Sequence, residues 1–550
     1  MKVLALIRKH HRQLLAVLAG VVLALAFPRF NLAGAAWVGP ALLLASAHGL
    51  SPGAAWRVGY LGGLVFWLMT LSWLLAIPVT GLPILGWIAL AAFLALYPAT
   101  WVWFLAGRIG HGTWLWRCFW CLSGAAVWVA LEMIRARLFS GFPWLPLGAA
   151  QWELTPLIQI AAVTGVYGVS FLVVWMALAL YSSVGTLLRH PTTRYIWLGE
   201  IILPLMVVIL VFNRGLSRLQ QLPAEAATLS VTAIQPSVPQ TMIWNSTENA
   251  ARFDRLMRLT KIALTNQTEL LLWPEAAVPG LDHETYAAIT NLVQHRRVWM
   301  LFNADEVRPT IGTTAPATAE VFNAAFWLNP AGACVASYHK RQLVIFGEYL
   351  PWDDYLPFLK WFTPITGEYT AGQQATQFEL DRSFVAPASP DYEIPAPATP
   401  TSASPSRLRI APLICFEDVF PHHVREQINE ETDLLVNLTN DGWFGAGAAQ
   451  WQQAASAAFR AVENGVPLLR VCNNGLTCWF DAAGRMRALF RDAHASEYGP
   501  GFVHWRVTFA PAAGRPATLY HEVGDRFGWT CVIWCGILLL VRCRPLRKAR

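Results

Sequence analysis

Seven long apolar runs crowd the first 213 residues, at about 13–29, 32–50, 57–78, 84–106, 119–139, 158–185 and 195–213. Each approaches the ~20 residues with which a helix crosses a ~30 Å hydrocarbon core. In lipid every backbone polar group needs an internal partner, so runs of this kind fold as helices. An eighth, shorter run lies at 527–541. The first run has a basic start but no small-residue cleavage site, and Pro28-Arg29-Phe30 leads into the next run; it reads as a retained span and not a signal peptide. With 55% hydrophobic and 14% charged residues among 550, the chain is neither one large soluble enzyme nor disordered. The net charge of +7 is spread along the ends of apolar runs, which argues against a nucleic-acid partner, and nine cysteines are too few for a disulfide scaffold.

The basic residues set an orientation. Lys2, Arg8, Lys9 and Arg12 precede the first run; Arg57, Arg108, Arg117, Arg189 and Arg194 fall in alternate turns; Arg542, Arg544, Arg547, Lys548 and Arg550 close the chain. With eight spans all share one side, which is cytoplasmic by the charge bias of membrane proteins. Arg135 and Arg137 oppose the pattern. The expected organisation is a seven-span bundle over 1–213, an extracytoplasmic domain over 214–526, and an eighth span with a basic tail over 527–550, both termini cytoplasmic. Three features of the spans stay open. Cys118 and Cys121 form a C-x-x-C, read as packing or as a metal or redox pair. Glu132 and Glu153 are acids near lipid, read as snorkelling at the surface or as functional.

From about residue 225 short strand-like runs alternate with amphipathic segments, the pattern of an α/β or layered α+β domain. Strands are expected near 228–235, 269–273, 298–303, 324–329, 408–414, 433–437 and 468–472, and helices near 247–267, 283–296, 422–431 and 448–464. Residues 386–406, rich in Pro, Ala and Ser, read as an exposed flexible insertion. Three stretches carry chemistry. LLLWPE presents Glu275 after a strand; YHKRQLVIFGEYLP presents Lys340 and Glu348; IAPLICFED presents Cys415 with Glu417. A side chain just past a strand is held rigidly at the rim of a sheet. A cysteine nucleophile, a carboxylate base and a lysine beside the oxyanion suffice for covalent acyl transfer.

These stretches resemble the Glu-Lys-Cys triad of the nitrilase superfamily. The whole chain is similar to the membrane-bound branch of that superfamily, the apolipoprotein N-acyltransferases: seven spans, a nitrilase-like domain, one closing span. The motifs are WPE at 273–275, the stretch Tyr338–Pro351, ICFED at 414–418, LTNDGWFG at 438–445, PLLR at 467–470, NNG at 473–475, and QPSVPQ at 235–240 before Trp244. The resemblance implies an α-β-β-α sandwich above the bundle. It implies Glu275 as general base, Lys340 as oxyanion stabiliser and Cys415 as nucleophile. Glu348 and Glu417 match supporting acids, Asn323 a polar position before the lysine strand, and Trp244 and Trp443 aromatic positions near the site entrance. Two residues depart from the family pattern: Phe416 stands where Tyr is usual, and Gln453 where a rim histidine is usual, each expected to affect substrate handling.

The activity so implied takes an acyl chain from a membrane phospholipid, phosphatidylethanolamine by family analogy, through a Cys415 thioester. The acceptor is the α-amino group of a lipoprotein's diacylglyceryl-cysteine. No metal or cofactor site is visible, and nothing demands more than a monomer in the inner membrane. Cys415 is expected to be a free thiol; Cys472 and Cys478 are read as core residues or a bridge. The apolar stretch at 350–365 reads as a lipid-contacting arm or as core. The alternatives are a membrane-anchored amidase or lipid hydrolase, with water as acceptor, and a scaffold or transporter with a dead domain.

Overall fold

The computed structural model describes residues 2–78, 82–109, 112–189, 198–309, 319–351, 369–384 and 405–543. The N-terminal helices are α1 (Lys2–Leu25), α2 (Gly39–Ser46), α3 (Pro52–Thr70), α4 (Leu82–Leu94), α5 (Leu96–Leu105), α6 (Trp114–Arg135), α7 (Val166–Arg189) and α8 (Leu198–Gln220). Among the described residues, four stretches are long and apolar enough to cross a membrane: Pro83–Leu105, Trp114–Arg135, Val166–Leu188 and Gly199–Gln220. Arg526–Val541 is apolar but shorter.

Two runs fold differently from their expected outline. The run at 32–50 is broken into a 3-10 turn, Ala33–Trp37, and the eight-residue α2. Pro40, at the start of α2, has no N–H to carry the helix back through Val38, and eight residues rise only ~12 Å. The sixth run was expected from 158, but its helix begins at Val166, after Gly165 turns at φ +67. The stretch before it forms two one-turn helices, Thr155–Ile158 and Ala161–Thr164. Arg135 and Arg137, which oppose the charge bias, are both engaged. Arg135 donates to Trp144 O at 2.7 Å and lies over the Trp67 ring, and Arg137 pairs with Asp525. Glu132 is no surface snorkeller: it is buried, accepting from Trp128 Nε1 at 2.8 Å and from the Leu147 N–H at 2.7 Å. Glu153 is exposed.

The second part is two six-stranded sheets. One has the order β12-β1-β2-β3-β4-β5 and the other β11-β10-β9-β8-β7-β6. The strands are β1 (Ala227–Gln235), β2 (Leu270–Leu272), β3 (Trp299–Pro309), β4 (Ala319–Leu328), β5 (Cys334–His339), β6 (Phe378–Asp381), β7 (Arg407–Ile414), β8 (Thr432–Thr439), β9 (Leu468–Cys472), β10 (Cys478–Phe480), β11 (Met486–Leu489) and β12 (Gly501–Phe509). The helices are α9 (Asn249–Ala263), α10 (His283–Arg296), α11 (Pro421–Gln427) and α12 (Ala448–Asn464); α13 (Arg526–Cys543) follows the domain.

Strand alternation assigns the layers. Leu229, Val231, Leu270, Leu272 and Leu301 of one sheet meet Leu408, Ile410, Leu434, Val436 and Leu469 of the other in a shared core. The opposite face of the first sheet, with Leu271, Met300 and Phe302, packs on Leu256 of α9 and on Ile289 and Val293 of α10. The opposite face of the second sheet, with Ala411, Leu413 and Leu435, packs on α12. The result is an α-β-β-α sandwich. The alanine-rich α12 is buried along nearly its whole length because its far side packs on the apolar bundle; residues of both parts share one core. At this seam Gln452 donates to Pro28 O at 2.9 Å and accepts from Trp144 Nε1 at 2.8 Å. Gly465, in the left-handed region at φ +66, ends α12. The expected insertion at 386–406, save its last two residues, and the expected arm from 352 onward lie outside the described residues.

Candidate active site

The two sheets place their chemistry at one shared edge. β2 ends where Pro274 cannot extend the ladder, and Glu275 follows. β5 ends at His339, and Lys340 is pinned by its own N–H to Asn323 O at 2.9 Å. β7 ends at Ile414, and Cys415 follows in the left-handed region at φ +54. A residue with a β-carbon costs about 1–3 kcal/mol there and persists only where the surroundings enforce it. They do. The Cys415 carbonyl accepts two side-chain amides, Asn437 Nδ2 at 3.0 Å and Gln453 Nε2 at 2.9 Å.

Glu275, Lys340, Glu348 and Asn323 converge with Cys415 in a buried cluster. Lys340 Nζ is 2.8 Å from Glu348 Oε1 and 3.5 Å from Glu275 Oε1. Asn323 Nδ2 lies 3.0 Å from both of those oxygens. Asn323 is in turn held by Asn303 Nδ2 on its Oδ1 at 2.6 Å. Glu275 Oε2 accepts the Asn440 N–H at 3.0 Å, and Glu348 Oε2 accepts the Val344 N–H at 2.8 Å. The Glu275 carboxylate acts directly on the Cys415 thiol, raising it.

The electrostatics follow from burial. Burial pushes the Cys415 thiol well above its usual value; the Glu275 charge adds to this and Lys340 opposes it. Burial also raises the Glu275 carboxyl, helped by Glu348 and opposed by Lys340. Burial works against the Lys340 ammonium, but Glu348 and Glu275 outweigh it and hold the amine charged. At rest the site therefore holds a neutral thiol against a carboxylate of raised basicity, beside a fixed cation. That is an arrangement in which proton removal accompanies attack on a carbonyl.

The other expected residues divide. Glu417 is buried behind Cys415 and does not join the cluster. It accepts from Tyr338 OH at 2.8 Å, the Arg341 N–H at 2.7 Å and the Ile414 N–H at 2.7 Å, so it ties the lysine loop to the cysteine turn. Trp244 and Trp443 pair edge-to-face at 5.3 Å. Phe416 was expected to affect substrate handling through a missing hydroxyl. Its ring instead packs on Phe142 and Trp144 from the bundle and on Phe420, an apolar setting that offers a hydroxyl little. Gln453 is not at a rim; it is buried beneath the Cys415 turn. Cys472 and Cys478 are buried free thiols, Cys472 Sγ bonding Leu476 O at 3.1 Å, and Cys415 is free as well.

Asp418, the last residue of the ICFED stretch, and residues not singled out from sequence complete the site. Asp418 accepts from Asn437 at 2.6 Å and Gln453 at 2.9 Å. Arg470 bridges Asp418 at 3.2 Å and Asp441 at 2.9 Å. Their signal was a polar residue facing inward on an apolar strand, Arg470 in LLRVC and Asn437 in DLLVNLT, since a buried charge demands a partner. Among the described residues, no group of three or more His, Cys, Asp or Glu gathers as a metal site.

Comparison with known proteins agrees with this geometry. Residues 19–179 match the apolipoprotein N-acyltransferase N-terminal domain, and residues 230–494 match the carbon-nitrogen hydrolase domain. The chain is 32% identical to the apolipoprotein N-acyltransferase of Geobacter metallireducens, covering 96% of this chain and 94% of that one. It is 28% identical to that of Vibrio vulnificus (96% of each chain) and 28% identical to that of Bradyrhizobium diazoefficiens (98% and 96%).

Proposed function

The chain belongs to the apolipoprotein N-acyltransferase family, and from that premise we propose how its own residues carry out the acyl transfer. The protein is a membrane acyltransferase that N-acylates lipoproteins, with phospholipid and lipoprotein as its substrates. Cys415 Sγ attacks an ester carbonyl of the phospholipid as Glu275 takes the thiol proton. The tetrahedral oxyanion forms beside the Lys340 ammonium and the backbone N–H that follows Cys415. Glu275 returns the proton to the leaving alkoxide, the C–O bond breaks, and a lysophospholipid departs from a Cys415 thioester. The lipoprotein's α-amino group then attacks the thioester, Glu275 receives the amine proton, the C–S bond breaks, and the thiol is restored. Glu348 and Asn323 hold Lys340 and Glu275 in place. Phosphatidylethanolamine is the proposed donor, and a monomer suffices.

One observation supports this reading above the rest. A thiol, a carboxylate and a buried ammonium converge at the edge of a sandwich whose outer helix shares its core with an apolar bundle. A lipid ester and a lipid-anchored amine thus reach one thiol without leaving the bilayer. We propose eight crossings, α2 with the preceding 3-10 turn forming the second. The sandwich then lies outside the cytoplasm and both termini inside. The enzyme in detergent with phosphatidylethanolamine and a diacylated lipopeptide should add one acyl chain to the peptide amine. Release of free fatty acid with no acylated peptide would make it a lipid hydrolase. A reporter inserted within 386–406 should be active only outside the cytoplasm.

A further inference from the structure

A cleft of about 480 Å³ opens where α8 leaves the bundle, lined by Arg214, Arg218, Arg485 and Arg515 and by the acids Glu225 and Asp481. It is not the candidate active site. Its lining includes Pro467, just before β9, and Phe509, the last residue of β12. β9 runs parallel to β8, with Leu468 beside Leu435 and Cys472 beside Thr439. Cys415 lies at the Thr439 end, so the cleft is at the opposite end of the sheets, more than ~13 Å away along the strands.

The charges in the cleft do not balance. Asp481 is taken by Arg485 at 2.7 Å and Arg487 at 3.3 Å, and Glu225 by Arg487 at 2.8 Å. Arg218 donates to Gln159 O at 3.2 Å, and Arg515 to Thr432 O and Ala510 O. Arg214 is exposed and makes no polar contact among the described residues. Arg214 and Arg218 therefore line the cleft with no carboxylate against them, while Arg515 also feels the charge of Asp433, and guanidinium stays charged at any working pH. The same helix supplies the second half of a site. Met206, Leu210, Arg214 and Arg218 recur at four-residue spacing, each ~40° round from the last, so neighbours in this series adjoin along a slowly turning stripe of the helix. The lower two are exposed apolar residues on an apolar span, and the upper two are the basic wall of the cleft. Arg214 sits ~6 Å above Leu210 along the axis, so the basic end of the stripe stands about one turn beyond its apolar end. On the proposed orientation this cluster also lies on the side where the charge bias disfavours arginine.

We propose that the cleft binds the phosphate of an anionic phospholipid whose acyl chains lie along the Met206–Leu210 face of α8, a site separate from the one that supplies the acyl group. The inference rests on reading α8 as a membrane span, and it is independent of the chemistry at Cys415. The test is binding of phosphatidylglycerol to the full chain in nanodiscs, with phosphatidylcholine and soluble glycerol phosphate as comparison probes. It is run on the native protein and on Cys415→Ala. Both should retain phosphatidylglycerol over phosphatidylcholine by roughly tenfold or more, the value of a charge-assisted contact. Arg214→Glu combined with Arg218→Gln should abolish that preference, with an unchanged melting temperature in lipid-free detergent as the folding control. Arg214→Glu alone, at an exposed and unbonded residue, should weaken it. Equal retention of the two lipids by the native protein, or a preference undiminished in Arg214→Glu, would overturn the proposal. Glycerol phosphate binding as tightly as the lipid would overturn the assignment to a lipid, and loss of the preference in Cys415→Ala would overturn the separation from the active site.

Discussion

Asn440 donates its backbone N–H to Glu275 Oε2 at 3.0 Å, so the carboxylate carried by one sheet is held by a loop of the other. The next residue, Asp441, is gripped by Arg470, which also reaches Asp418. Asp418 takes the Asn437 and Gln453 amides, and those same amides hold the Cys415 carbonyl. Proposed base and proposed nucleophile are thus set against each other by one buried network. Its charges are paired, Arg470 with both Asp418 and Asp441, and pairing of this kind rigidifies a buried site, although Arg470 Nε and Asn437 Oδ1 have no partner among the described residues.

Glu275→Gln keeps the size and the Asn440 contact but removes the proton acceptor. Thioester formation should fall by about 10²–10⁴-fold while phospholipid still binds. Rapid-quench measurement of the acyl adduct checks this, and normal turnover would assign the proton to another group.

Lys340→Met should do more than slow the reaction. It leaves Glu275 and Glu348 facing each other in a buried site with no cation between them. Removing one partner of a buried charge cluster costs about 3–5 kcal/mol. The melting temperature should drop along with activity, and Lys340→Met combined with Glu348→Gln should recover part of the stability but none of the activity.

Gln453→Leu removes one of two donors to the Cys415 carbonyl and one to Asp418. The loss should be about 1–3 kcal/mol of stability, with a slower first step. Gln453→His should recover more of both than Leu does, because an imidazole can still donate one of the two bonds.

Two pH effects follow from burial. The raised Glu275 carboxyl must be ionised to accept the thiol proton, so thioester formation should fall with decreasing pH. The acid limb should lie above the ordinary glutamate value of about 4.3. Glu463, at the seam with the bundle, is pushed up to about 7 by burial against the pull of Arg460. A carboxyl raised in the native state contributes stability that is complete below its unfolded value and is lost as pH rises through the folded one. The melting temperature should therefore decline between about pH 4 and 7, and Glu463→Gln should flatten that decline.

How much of this was legible depended on which atoms carry the signal. The apolar runs announced a membrane part because lipid demands length and uniform apolarity, and α12 and α10 were readable to the residue from their spacing. The break in the run at 32–50 was hidden because hydropathy averages over Gly39 and Pro40. Glu275, Lys340 and Cys415 were visible because each follows a strand within a recognisable stretch. The contacts that aim them were not, because the Asn440 and Val344 donors are backbone N–H groups with no side-chain signature. Gln453 was misplaced at a rim because sequence gives a helix face but not what covers it. Here the bundle covers α12 on the side away from the sheet, so no face of it is left to a rim.

The central claim is that an acyl group passes through Cys415 on its way to an amine. Intact-protein mass spectrometry tests it, first with phosphatidylethanolamine alone and then with a diacylated lipopeptide bearing a free N-terminal cysteine. The account predicts a fatty-acyl mass increase that maps to Cys415, is absent in Cys415→Ala, and discharges onto the peptide amine. An adduct that persists in Cys415→Ala, or acylated peptide formed with no adduct at any time, would contradict it.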